Sequence, residues 1–362
     1  MGTAARALIL NRSEYVLSRT PPKTSRKATA NGKLIEPAEK LLHYHHEMLR
    51  IRIFEDQTIR AYRAGLAGGY LHVYTGMEAT CVGWLSCIKK GDPIITAYRD
   101  HGHALFLGMD AMQTMAEIMG RSDGFSRGKG GSMHLYSKEH DFFGGWGIVG
   151  GHVPLGVGLA FGTKYKGGDE VTHCFYGDGA ANAGAVYEVM NMAALWDLPV
   201  IFIIENNEFA MGTRLEYHAA DTELHKRAEG FGMGHERIDG MDVLQVRKDA
   251  KRIIDKTRTT QRPYLVEIMN YRFAGHGAAD NDQSLYRTEE ELKDAMKRDP
   301  IGMLEAYMLD HGVVTEKELA KTRLEIESEM EDVYDKASKS PKPDPDEVYA
   351  DVYTDMIPEK GH

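Results

Sequence analysis

Two short polar stretches, Gly177-Asp178-Gly179 and Glu205-Asn206-Asn207, stand at the ends of two apolar runs, Val171 to Tyr176 and Val200 to Ile204. A carboxylate oxygen from Asp178 and an amide oxygen from Asn207, brought together, would suit a hard cation. Mg²⁺ takes oxygen ligands and commonly shares its shell with phosphates. Gly179 and Ala180 open the stretch that follows, where their N–H groups could face those phosphates and glycine lets the backbone come close. Asp-Gly alone marks an ordinary turn. Paired with Asn-Asn at a second strand end it becomes specific, and the chemistry it can hold is Mg²⁺ with a diphosphate.

The elements that must position these residues follow from periodicity. Both apolar runs are strand-like and too short for helices, whereas Ala180 to Leu195 carries Val186, Val189, Met190 and Ala193 at helical spacing and stops before Pro199. Strand, helix, strand over this length is a βαβ unit, so the strands should be parallel and their polar ends should emerge on one edge. Pro93 to Ala97 reads as another strand, followed by Tyr98-Arg99, and ligands of parallel sheets bind at such ends. A guanidinium there can donate two hydrogen bonds to one anion. Further strands are expected at Met241 to Val246 and Tyr264 to Met269, with a charged helix from Lys248 to Thr259 between them. Pro37 should open a long helix reaching Ala64, and Val153 to Tyr165 should be helical, as should Thr315 to Lys336. The expected fold is α/β, a mainly parallel sheet with helices on both faces. Its expected divisions are a basic arm at 1–34, a diphosphate-binding domain at 35–310 and a charged helix and tail at 311–362.

Composition narrows the function. The 362 residues carry a net charge of −10, which argues against a nucleic-acid partner. No apolar stretch is long enough to span a membrane. Cys81, Cys87 and Cys174 form no C-x-x-C pair and read as packing thiols in a reducing compartment. The basic start of the chain suits a mitochondrial transit peptide or a disordered arm equally. Two glycine patterns are decoys. Gly124 to Lys129 has neither the P-loop spacing nor its Ser or Thr, and Gly145 to Gly150 fits G-x-G-x-x-G without an apolar strand before it, which rejects a nicotinamide cofactor.

The stretch YGDGAANAGAVYEVMNMAALWDLPVIFIIENN, with the following MGT, resembles the alpha subunits of the thiamine diphosphate-dependent 2-oxo acid dehydrogenases, and within them the pyruvate dehydrogenase branch. The resemblance runs from about residue 37 to residue 310. It implies that Asp178, Asn207 and the backbone carbonyl of Phe209 hold Mg²⁺. It also implies that Tyr98, Arg99, Gly179, Ala180 and His276 contact the diphosphate, and that the backbone of Gly147 and Val149 contacts the aminopyrimidine. His72, with Gly76, Glu78 and Ala79, matches the family's HxxxGxEA pattern, which places it in the substrate channel. His72 and His276 are the implied catalytic histidines; without the resemblance each would be an ordinary loop histidine. Tyr98 leans toward pyruvate, since acetoin-acting relatives tend to carry His there. Gly277 stands where mitochondrial relatives have a regulatory phosphoserine, which leaves that regulation without its acceptor.

The implied activity is oxidative decarboxylation of pyruvate with acyl transfer to the lipoyl arm of a dihydrolipoyl acetyltransferase. Acetoin or branched-chain 2-oxo acids are the alternative substrates, and a noncatalytic subunit that binds no thiamine diphosphate is the alternative of another class. The family's glutamate that contacts the aminopyrimidine sits on a different domain, which implies a separate beta subunit and an α₂β₂ tetramer. Its expected location is the bacterial cytoplasm, or alternatively the mitochondrial matrix.

Overall fold

Side chains along the central strands alternate between two apolar cores, as a sheet covered on both faces requires. Phe175, Ile201, Ile203, Val266 and Ile268 point into one core, and Cys174, Tyr176, Phe202, Ile204 and Leu265 into the other. The computed structural model describes residues 34–351, so the expected basic arm and the end of the tail lie outside the described residues. In chain order the elements are α1 (Ala38–Arg63), α2 (Glu78–Leu85), β1 (Ile94–Ala97), α3 (His101–Phe106), α4 (Ala111–Ile118), β2 (Phe142–Trp146), α5 (Val153–Lys166) and β3 (Thr172–Gly177). They continue with α6 (Gly184–Leu195), β4 (Val200–Asn206), β5 (Phe209–Ala210), β6 (Thr213–Arg214), α7 (Leu215–His218), β7 (Gly234–Asp239), α8 (Val243–Thr260) and β8 (Tyr264–Met269). Helices α9 (Glu289–Met296), α10 (Pro300–Asp310) and α11 (Glu316–Lys339) follow.

Six strands pair in parallel in the order β2-β1-β3-β4-β8-β7, and β5 and β6 form a small antiparallel hairpin. The α/β fold read from the sequence is the fold found. Because β2 and β3 flank β1 on opposite sides, the chain reverses its winding direction there and opens a crevice above the carboxyl ends of β1 and β3. Tyr98 and Arg99 leave β1 at this crevice, and Asp178 leaves β3.

Three local expectations are corrected. Met241 to Val246 is not a strand. Asp242 accepts hydrogen bonds from the N–H groups of Leu244 and Gln245, an N-cap that starts α8 at Val243. The true strand, β7, is Gly-His-Glu-Arg-Ile-Asp at the sheet edge, where polar side chains are tolerated and hide it from a hydrophobicity reading. A strand also does lie at the Gly145 motif, since Phe142–Trp146 forms β2. Its glycines make room for other groups: a Cβ on Gly145 would fall 1.8 Å from Oδ2 of Asp100. Finally, Ala180 to Leu195 is not one helix. Ala180–Asn182 is a 3-10 turn, Ala183 is extended, and α6 starts at Gly184.

Helix α11 begins with a capping box between Thr315 and Glu318 and buries Ile326, Met330, Val333, Tyr334 and Ala337 in the same core as α1 and α4. Beyond it the chain lies on the glycine-rich region, where the N–H of Ser122 donates to the Pro341 carbonyl at 2.9 Å. Among the described residues no helix is long and apolar enough to cross a membrane.

Candidate functional site

Above β1 and β3, three rings form a cluster. The His72 ring lies 4.4 Å from Tyr98 and 4.9 Å from His276 between centroids, and Tyr98 lies 5.9 Å from His276. Arg99 ties them together: one guanidinium nitrogen donates to the Val73 carbonyl and the other to the His276 carbonyl at 2.9 Å. Four residues singled out on three separate stretches of the sequence thus meet. Arg99 is buried, yet within ion-pair distance it has no carboxylate among the described residues. Burial first, and Arg272 second, push its pKa down to about 10, which leaves it charged at neutral pH. The Nδ1 atoms of His72 and His276 are buried without a partner. Burial and then Arg99 lower the His72 pKa to about 2 and the His276 pKa to about 3. Both rings are therefore neutral, each with one N–H and one lone pair. A buried cluster with an unpaired cation and two neutral imidazoles favours an anion.

At the neighbouring strand ends, Gly177 pairs with Glu205, so Asp178 and Asn207 leave adjacent strands close to the same level. Asp178 is 1% exposed and Asn207 7%. The Asn207 side-chain oxygen accepts from the Phe209 N–H at 3.3 Å, in a tight bend where Glu208 has a φ of 71°. Phe209 then enters the β5–β6 hairpin, which presses on the turn after β3. A Cβ on Gly179 would stand 2.8 Å from that of Ala210, so the position is reserved for glycine. The 3-10 turn is closed by the N–H groups of Ala181, Asn182 and Ala183, which leaves those of Gly179 and Ala180 outside its internal bonding. These two N–H groups open that turn rather than an α-helix, which corrects the expected helix terminus.

Gly147 and Val149 lie on the segment that follows β2. A Cβ on Gly147 would meet the His134 ring at 3.2 Å, and one on Gly150 would meet Ala183 at 2.9 Å, so this segment runs between the Gly130–His134 stretch and the turn at Ala180. Val149 is 55% exposed.

The glycine-rich wall is held by one side chain. Buried Glu117 accepts from the N–H groups of Ser126 and Gly128 through one oxygen and of Gly130 and Gly131 through the other, at 2.7–3.1 Å. Behind it, Glu55 accepts from His101 at 2.8 Å, and the other His101 nitrogen lies 2.9 Å from the Ser132 hydroxyl. Glu117→Gln keeps the size but turns an NH₂ toward two of the four donors. Each buried donor left unpaired costs roughly 1–3 kcal/mol. Amide exchange across residues 124–131 is therefore expected to quicken by at least about tenfold, and unchanged protection would show that Glu117 is not the anchor.

Three residues here escaped sequence reasoning. Arg272, fully buried, follows β8 as Arg99 follows β1, and donates to the carbonyls of Ala274 and Met211 at 3.2 and 3.0 Å while its Nη1 stays unpartnered. A cation just past a strand end was the available signal. Glu205, the first residue of Glu-Asn-Asn, is buried and accepts from the Tyr74 hydroxyl, and burial raises its pKa to about 7. His218 donates to Asp178 at 3.1 Å and had no signal, because the contact is set by the hairpin that returns α7 to β3. The loop carrying His276 is also better tied than its small residues suggest. Arg287 donates to the carbonyls of Arg272 and Ala274 at 2.6 and 2.8 Å.

Among the described residues no three His, Cys, Asp or Glu side chains cluster to hold a metal. A cation at Asp178 would instead need amide, carbonyl, phosphate and water oxygens, which is the manner of Mg²⁺. The unpaired Arg99, the spare N–H groups of Gly179 and Ala180 and the orphaned imidazole nitrogens fit a diphosphate beside it.

A model of the family described as dehydrogenase E1 component matches residues 46–346. The chain is 44% identical over 344 residues to the pyruvate dehydrogenase E1 component subunit alpha of Rhizobium meliloti, covering 94% of this chain and 98% of that protein. It is 44% identical over 323 residues to the protein of the same name from Zymomonas mobilis, covering 89% and 90% respectively. With the mitochondrial subunit alpha of Solanum tuberosum it shares 43% over 334 residues, covering 92% and 84%.

Proposed function

The chain belongs to the dehydrogenase E1 component family, and from that membership we propose that it is the alpha half of a thiamine diphosphate-dependent pyruvate dehydrogenase E1, working with a beta subunit in an α₂β₂ tetramer. The observation that carries the reading is the buried, unpaired Arg99 set among His72, Tyr98 and His276 at the point where the sheet changes winding direction. When bound, thiamine diphosphate supplies the electron sink for decarboxylation, while the protein supplies binding, orientation and proton handling.

This chain's own groups divide that work. Asp178, Asn207 and the Phe209 carbonyl would hold Mg²⁺. Arg99 and the N–H groups of Gly179 and Ala180 would hold the diphosphate, with Tyr98 beside it. Gly147 and Val149 would offer backbone to the aminopyrimidine. His276 and His72, kept neutral by burial and by Arg99, can each donate one hydrogen bond to a carboxylate or phosphate oxygen without carrying charge into the pocket. A cytoplasmic location and delivery of the acyl group to a lipoyl-bearing dihydrolipoyl acetyltransferase belong to the same proposal. Support for them is the relatives' shared name and the two bacterial sources at 44% identity.

Reconstitution with the beta subunit tests the reading. Pyruvate should be decarboxylated with kcat/KM at least about tenfold above that for acetoin or a branched-chain 2-oxo acid, the scale one or two methylenes can discriminate in a pocket. A preference for the bulkier acids would transfer the chain to the branched-chain alternative. Tight assembly with the beta subunit without any cofactor binding would make this a noncatalytic subunit.

A further inference from the structure

Asp178 does not stand alone at the end of β3. His218 on α7 brings its Nε2 to 3.1 Å from Oδ2 of Asp178, with the imidazole only 13% exposed. The other ring nitrogen, Nδ1, lies 2.8 Å from the amide nitrogen of Asn182, which also donates to the His218 carbonyl at 3.1 Å. Asn182 is itself oriented. Its side-chain oxygen accepts from one guanidinium nitrogen of Arg227 at 2.9 Å, while the other nitrogen donates to the Ala181 carbonyl at 2.7 Å. The order of donors is therefore fixed from the outside inward. Arg227 can only donate, so it selects the Asn182 oxygen. That turns the Asn182 NH₂ onto Nδ1 of His218, which must then accept, and the proton of the ring sits on Nε2, facing Asp178.

We propose that His218, held in this tautomer by Asn182 and Arg227, is a positioning residue for the metal-binding carboxylate of Asp178. Its bond engages Oδ2 and leaves Oδ1 for the cation. This rests on the reading of Asp178 as a Mg²⁺ ligand. Carboxylate ligands are commonly oriented by such outer hydrogen bonds, and removing one weakens metal binding about 10–100-fold.

The test uses the reconstituted tetramer with thiamine diphosphate and Mn²⁺ as the probe, its free fraction read by electron paramagnetic resonance. His218→Ala should raise the Mn²⁺ dissociation constant about tenfold or more. His218→Gln, whose amide can still donate toward Oδ2, should recover most of that loss, and the melting temperature of the cofactor-free tetramer should change little in either variant. Asp178→Ala serves as the reference. Should Asp178→Ala abolish Mn²⁺ binding while His218→Ala leaves it intact, the positioning role is overturned and the metal site stands. Unchanged binding in both variants would mean that the metal reading itself has failed. Equal loss in His218→Ala and His218→Gln, with a lowered melting temperature, would make His218 a packing residue and overturn the proposal.

Discussion

Asp178→Ala is expected to abolish Mg²⁺-dependent binding of thiamine diphosphate while leaving the chain folded. The carboxylate is 1% exposed at the end of β3, beside Asn207 on the next strand, and its only side-chain partner among the described residues is His218. Removing it deletes the one charged protein ligand of the proposed metal but almost no apolar core, since the neighbouring strand residues Phe175 and Tyr176 keep their packing. Truncating one member of a buried charge pair costs about 2–5 kcal/mol, which is roughly 30- to 5,000-fold in affinity. A Mg²⁺ held there would share its shell with the diphosphate, so the two losses would be felt together. Calorimetric titration of the reconstituted tetramer reads the effect directly. Cofactor affinity within about threefold of the unaltered tetramer would remove Asp178 from the site, whatever the sequence pattern suggests.

What the sequence made legible was whatever repeated a physical rule locally. The buried strands β3, β4 and β8 announce themselves because a strand covered on both faces is a continuous apolar run, and α1 and α11 because one face repeats at helical spacing. Asp178 and Asn207 followed, since a βαβ unit delivers both strand ends to one edge. The edge strands were illegible for the converse reason: β7 is polar and two of the five residues of β2 are glycine, and each takes its strand character from a neighbour rather than from its own composition. Met241 to Val246 misled because the largely apolar start of a helix looks like a short strand until Asp242 is recognised as a cap. His72, Tyr98 and His276 could be assigned together only by resemblance, as nothing local says that residues 72, 98 and 276 meet. His218 lay beyond both routes, and Arg272 showed only as a cation just past a strand end. Their contacts come from how the loop after β8 and the hairpin after β4 fold back over the crevice, which is tertiary geometry with no local signature.

Arg99→Met separates two consequences that a simple loss of contacts would confound. The Arg99 guanidinium is buried and faces a second cation, Arg272, with carbonyl oxygens as its hydrogen-bond acceptors. Holding an ion away from water costs several kcal/mol unless an opposite charge compensates. Replacing it by an apolar side chain of similar length removes that cost, and gives up two hydrogen bonds worth about 1.5–3 kcal/mol each when the donor is charged. The two sums are similar, so the melting temperature of the cofactor-free tetramer should stay level or rise. Binding should behave in the opposite way. A diphosphate would be the counter-ion that Arg99 lacks, and losing a desolvated charge partner of this kind should weaken thiamine diphosphate by about 2–5 kcal/mol, so that cofactor at a concentration that protects the unaltered tetramer no longer raises the melting temperature. Arg99→Lys should recover only part of the affinity, because an ammonium cannot present the planar fork that spans two phosphate oxygens. A cofactor-free Arg99→Met tetramer that melts several degrees lower yet is still protected fully by thiamine diphosphate would mean that Arg99 braces the Val73 and His276 carbonyls, and that the anion is held elsewhere.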